Sequence, residues 1–190
     1  MFSTLYQKII TTVLVLGTAV FTNIPGTDPE FSNGLIEQNG TQLVCSADLS
    51  NCWTPEFDRI IQSGQTIVIN YRVELISETG ILPQDTKNFR HELRYNVLDE
   101  TFTVNLRESG TTRTLKNLAE VKTLITHIDR YAFSDVSDLK SNQTYFIRVS
   151  AGLNRITLPG MNEPFNLMNY WKNVRPTYLS EPFTKTDFSS

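Results

Sequence analysis

The chain has 190 residues, 39% hydrophobic, 19% charged and 11% aromatic, which is enough apolar material for a real core and argues against wholesale disorder. Net charge is −3, and the first 26 residues contribute only Lys8, leaving −4 for the remainder with no basic run anywhere. Nucleic acid and anionic lipid surfaces are therefore poor partners on charge grounds.

Residues 1–26 open with MFSTLYQK and the apolar run IITTVLVLGTAVF. One lysine ahead of a short h-region reads as an export signal, and the run falls short of the roughly 20 apolar residues a spanning helix needs. Gly17 and Ala19 give one small-x-small cleavage site but no Ala-x-Ala occurs, so a cleaved signal peptide and an uncleaved N-terminal anchor both stay open. The Pro/Gly/Asn-rich stretch that follows reads as a linker over residues 27–34. Residues 35–190 are then one globular exported domain.

Leu35–Leu49 contains an Asn39–Gly40 turn and reads as a first hairpin or strand. Thr54 as N-cap, Pro55 at the first helical position, apolar Phe57, Ile60 and Ile61 and a closing Gly64 predict a short helix. Thr66–Ser77 alternates Ile67, Ile69, Tyr71, Val73 and Leu75 against polar neighbours, a strand with one buried face.

Phe89–Ser109 carries the clearest pattern. With a turn at Asp99–Glu100, Val97 faces Phe102, Tyr95 faces Val104 and Leu93 faces Leu106 on one side. Asn96/Thr103, Arg94/Asn105 and Glu92/Arg107 fill the other. Asp-Glu is a weaker turn than Asp-Gly, which leaves a longer loop of the same parity open. After Gly110, Leu115, Leu118, Val121, Leu124, Ile125 and Ile128 fall at helical spacing and predict an amphipathic helix on the dry face. Tyr145–Leu158 returns to period two, and the tail reads as an irregular last strand or edge cover. The fold class is α+β or mainly β: an antiparallel sheet, with a sandwich-like arrangement left open, and one short and one longer amphipathic helix packed on it.

Several of these features together resemble the DUF4390 family of small exported bacterial proteins. They are the export signal, the short helix ending in Gly64 before a long strand, and FRHELRYNVL with Tyr95 and Leu98. FTVNL, a helix of the Leu115–Leu124 type, and RVSAGLNRITLPG ahead of a tail with Trp171 complete the pattern, over roughly residues 35 to 183. The resemblance implies an envelope protein and carries no catalytic residues with it. The Cys45/Cys52 pair lies outside the pattern.

Cys45 and Cys52 enclose SADLSN. In an exported chain an even cysteine count favours a disulfide, with free thiols second and metal last, since His91 and His127 lie in different elements at no ligand spacing. His91 shares the side of Leu93 and Tyr95, so a half-buried histidine with a local partner such as Glu108 is the first reading and a general base the second. His127 is expected at the solvent boundary of its helix.

Nucleophile and phosphate-loop motifs do not occur. Glu74 and Glu92 could serve glycoside cleavage as a carboxylate pair, but both share the polar phase with Arg72, Arg90, Arg94, Arg107 and Arg148, where solvated cross-strand pairing is the default. Trp53, Tyr170, Trp171 and Tyr178 are read first as core or tail packing and second as a sugar-stacking platform. No catalytic residue, metal or cofactor is expected. The functional expectation is an exported, non-catalytic binding or accessory module. Arg94 and Arg107 mark a possible partner-binding face, and the partner is another envelope protein. The membrane is engaged only through an uncleaved N-terminal segment. A carbohydrate- or peptidoglycan-binding module is the alternative, and a hydrolase with an unrecognised site the third reading.

Overall fold

The computed structural model describes residues 26–158 and 163–188; the expected export segment, apart from Gly26, lies outside them. Eleven strands appear in chain order: β1 Glu30–Asn39, β2 Gln42–Ser50, β3 Ile67–Ser77, β4 Asp85–Asn96, β5 Thr101–Leu106, β6 Thr111–Leu115, β7 His127–Asp135, β8 Tyr145–Leu153, β9 Arg155–Ile156, β10 Phe165–Asn166 and β11 Thr177–Leu179. Helix α1 spans Pro55–Gln62 and α2 spans Leu118–Thr126. The structure is mainly β, with every strand pair antiparallel. Among the described residues no helix is long and apolar enough to cross a membrane.

A six-stranded sheet runs β11-β8-β3-β4-β5-β6, and a three-stranded sheet β1-β2-β7 lies over its dry face. Phe31 meets Tyr71 at a ring-centroid distance of 6.5 Å, and Phe89 meets Tyr131 at 4.2 Å, across that interface. Ile67, Ile69, Tyr71, Val73 and Leu75 of β3 all point into it, as the alternation requires.

The central hairpin keeps the expected parity with a longer loop. Asn96 faces Thr101, Tyr95 faces Phe102 and Leu93 faces Val104, so the turn is Val97–Glu100 rather than Asp99–Glu100 alone. Asn96 Oδ1 accepts from the Leu98 N–H at 3.0 Å, and Glu100 takes the left-handed conformation at φ 52°. Parity survives because the register shifts by two residues: β4 ends at Asn96 rather than Leu98, while β5 still begins at Thr101. Leu93, Phe102 and Val104 are buried, while Tyr95, Val97 and Leu106 towards its margins are half-buried.

The long helix expected over Leu115–Ile128 is shorter, and both ends are strand. Thr111–Leu115 extends the sheet as β6, where Thr114 pairs with Thr103 and the Thr112 hydroxyl donates to Asn105 Oδ1 at 2.8 Å. A run of β-branched threonines suits a pleated edge better than a helix. Asn117 caps α2 by accepting from the Ala119 N–H. At its far end the Thr126 hydroxyl donates back to Lys122 O at 2.7 Å, and the chain leaves as β7 to pair with β2. The expected linker is also shorter, since β1 begins at Glu30. Helix α1 agrees with its signals: Thr54 Oγ1 accepts from the Phe57 N–H at 3.1 Å, and Gly64 follows at φ 82°.

Candidate binding site

Two polar systems, one on each side of the six-stranded sheet, converge beside the edge of β4. The first is buried. His91 has no exposure, and its Nδ1 lies 2.7 Å from the Ile125 carbonyl. The Tyr71 hydroxyl donates to the same oxygen at 2.9 Å. Ile125 sits in the last turn of α2, where carbonyls lack helical partners and the dipole is negative, so the sheet supplies the donors. A carbonyl only accepts, hence Nδ1 carries a proton. His91 Nε2 lies 3.0 Å from Glu108 Oε1, the partner expected from sequence, and one further proton lies between those two atoms. The Glu108 side chain is 8% exposed, and its other oxygen, Oε2, is buried without a hydrogen-bond partner. Burial also pushes the Tyr71 phenol well up, in keeping with its role as donor.

The second system is the open face. Glu74 is held by Arg148 Nε at 2.7 Å and Arg72 Nη2 at 3.0 Å; Glu92 is held by Arg90 Nε at 2.8 Å and by Arg107. Hydrogen bonds from Arg148 and Arg107, in first place, hold the two carboxyls below the usual range. Both carboxylates are thus engaged in ion pairing with arginines, the default expected for that face. Arg94 is exposed on the same face, opposite Thr103. Beside Gly152 lies the Arg175 guanidinium, its Cζ at ordinary van der Waals distance, 3.5 Å, from where a Cβ would be. Cross-strand pairing is thus real, but five guanidiniums on the strand face share only two carboxylates.

The systems meet because β4 outlasts β5. Beyond Leu106 the chain turns away, leaving a cleft of about 630 Å³. Asn70, Asn88 and Arg90 line it from β3 and β4, Arg107 and Glu108 from the turn, and Phe89 and Tyr131 from the dry side.

A family model described as "Domain of unknown function (DUF4390)" matches residues 27–178. The chain belongs to the DUF4390 family. No curated protein and no solved structure matches it. The matched span runs from just before β1 to Tyr178 in β11, and so contains the whole cleft and the open face of this DUF4390 domain.

The expected Cys45–Cys52 disulfide is not formed; both thiols are buried and unbonded. The reason is that β2 stays extended to Ser50. Five strand steps carry the chain about 16 Å from Cys45, and two residues turned straight back recover only about 7 Å, beyond the roughly 7 Å Cα separation a disulfide tolerates. Burial pushes each thiol up to about 12. Among the described residues no group of His, Cys, Asp and Glu is placed to hold a metal.

The aromatic quartet is packing rather than a platform. Tyr170 stacks on Phe57 at 4.9 Å, Trp53 lies 5.1 Å from the same ring, Trp171 is fully buried and Tyr178 covers Gly34. His127 stands at the start of β7, not on a helix, and its Nδ1 lies 2.7 Å from Asp48 Oδ1 at a half-exposed site. Sequence reasoning missed Tyr71, Tyr131 and Arg175. The phase of Tyr71 beside His91 across β3 and β4 was the one available signal.

Proposed function

We propose that this DUF4390 protein is an exported, non-catalytic binding module of the envelope, and that its arginine face docks an acidic surface on another envelope protein. The observation that carries this reading is the charge separation: Arg72, Arg90, Arg94, Arg107 and Arg148 stand on one open sheet face of a chain whose net charge is −3. Glu74 and Glu92 hold four of those guanidiniums by hydrogen bonds, so little side-chain entropy remains to be lost on docking. Arginine forks suit planar, bidentate pairing with carboxylates. The apolar run after Lys8 supports export.

The test is photocrosslinking in the intact cell, with a photoreactive residue at Thr103, beside Arg94, and identification of the captured protein by mass spectrometry. Arg94→Glu should lower capture while leaving the melting temperature nearly unchanged, because Arg94 is exposed, and Arg107→Ala should lower capture while also costing the protein one ion pair to Glu92. Full capture by both variants removes the face from the function. Export is read separately, by fusing residues 1–35 to a reporter active only outside the cytoplasm. Signal that survives Leu14→Asp and Leu16→Asp refutes it.

A further inference from the structure

Glu108 lines the β4 cleft, and its buried Oε2 accepts no hydrogen bond from the chain. Because Nδ1–H of His91 is committed to the Ile125 carbonyl, the single remaining proton lies on the line from Nε2 to Oε1, 3.0 Å apart. Whichever atom holds that proton, Oε2 presents only lone pairs. A carboxylate oxygen buried without a partner is costly, and such groups in folded proteins call for a partner the chain itself does not supply. The missing partner must be a donor.

The surroundings narrow its class. Arg90 and Arg107 stand in the same cleft and disfavour an ammonium group through like charge. A hydroxyl suffers no such repulsion, and it can accept from a guanidinium while donating to Oε2. The exposed amides of Asn70 and Asn88 supply a donor and an acceptor each. Tyr131 is half-buried, with its ring 4.2 Å from Phe89, and provides an aromatic wall for an apolar C–H face. Donor-poor oxygen, mixed amides and guanidiniums, and one aromatic wall together describe a site for a neutral polyhydroxylated ring.

We propose that the β4 cleft is a saccharide subsite, in which a ring hydroxyl donates to Glu108 Oε2 and the sugar face rests on Tyr131. Oε2 is buried, so the ring hydroxyl reaches it only when side chains at the cleft move aside, and Asn88, Arg90 and Arg107 are exposed there. The inference goes beyond the docking reading and rests on the dry-side residues Glu108 and Tyr131, which that reading does not use.

Saturation-transfer NMR on the full chain tests it, with chitotriose and maltotriose as probes and free lysine as the ammonium control. Either saccharide should show transfer at concentrations on the order of 10 mM or below, and Tyr131→Ala or Asn88→Ala should weaken binding about tenfold, the loss of one good contact. Glu108→Gln should retain binding, since its amide can donate to His91 Nε2 and leave an oxygen facing the cleft. Glu108→Leu should abolish it. If Glu108→Leu does not fold, the Tyr131 and Asn88 variants decide. No transfer from either saccharide, transfer indifferent to Tyr131→Ala and Asn88→Ala, or binding of lysine in their place overturns the proposal. Arg94→Glu should leave saccharide binding intact, so a failed docking face and a failed subsite give different results.

Discussion

The indole N–H of Trp171 donates to the Cys52 carbonyl at 3.0 Å, joining residues 119 positions apart. This bond fastens the C-terminal 3-10 turn Leu167–Trp171 to the segment between β2 and α1, where Tyr170 stacks on Phe57. Trp171→Phe should cost about 1–3 kcal/mol, because it strands a buried carbonyl, and Trp171→Ala about 3–5 kcal/mol through the cavity it leaves. Urea unfolding midpoints measure both, and a wild-type midpoint for Trp171→Phe would show the bond to be idle.

Register in the central hairpin gives a second expectation. Leu93 has no exposure and Arg94, the next residue, faces solvent. Leu93→Ala should destabilise by about 2–5 kcal/mol and Arg94→Ala by less than about 1 kcal/mol. Equal effects would contradict the parity of the sheet.

Acid should find the arginine face. Glu74 and Glu92 are held below the usual carboxylate range in the folded protein, chiefly by Arg148 and Arg107. A lowered folded value means that their contribution is full above the unfolded value and is lost as pH falls through the folded one, in a window that opens below about pH 5. The stability gap between the wild type and Glu92→Gln should therefore shrink as the solution is acidified. Parallel stability profiles down to the acid limit would argue against these ion pairs.

The two thiols offer a direct chemical readout. With Cys45 and Cys52 both pushed up to about 12 by burial, neither forms thiolate near neutral pH. Alkylation at pH 8 should leave the folded chain unmodified, and in denaturant without reductant it should add two alkyl groups. Intact mass decides it: an unmodified chain after denaturation would mean a disulfide had formed.

Parity was the most legible property of the sequence, because period two binds every residue of a strand at once. Leu93, Phe102 and Val104 went inside and Arg94 outside even though the turn was begun two residues too late. Helix ends were less legible. Leu115 and Ile128 sit at helical spacing from Val121, yet β5 and β2 offer open edges that claim TTRTL and the segment after Thr126. That error hid β7, and with it Tyr131. The His91–Glu108 contact was readable from a short hairpin, whereas the cleft was not, since it depends on β4 being twelve residues and β5 only six. The disulfide expectation failed for a related reason: cysteine count carries no information on how long a strand stays extended.

Near the end of the fold, the Tyr178 hydroxyl donates to the Gly34 carbonyl at 3.3 Å, and its ring occupies the space a side chain at residue 34 would need. Strand β11 and strand β1 thus complete each other from opposite ends of the chain, across 144 positions. Contacts of such long range are slow to form and carry a large loop-closure cost before any reward arrives. A chain emerging from its N-terminus onwards cannot assemble this core until Trp171 and Tyr178 have also appeared. Late closure makes the final aromatic residues the latch that commits the chain to its shape, and a chain ending short of them would stay open.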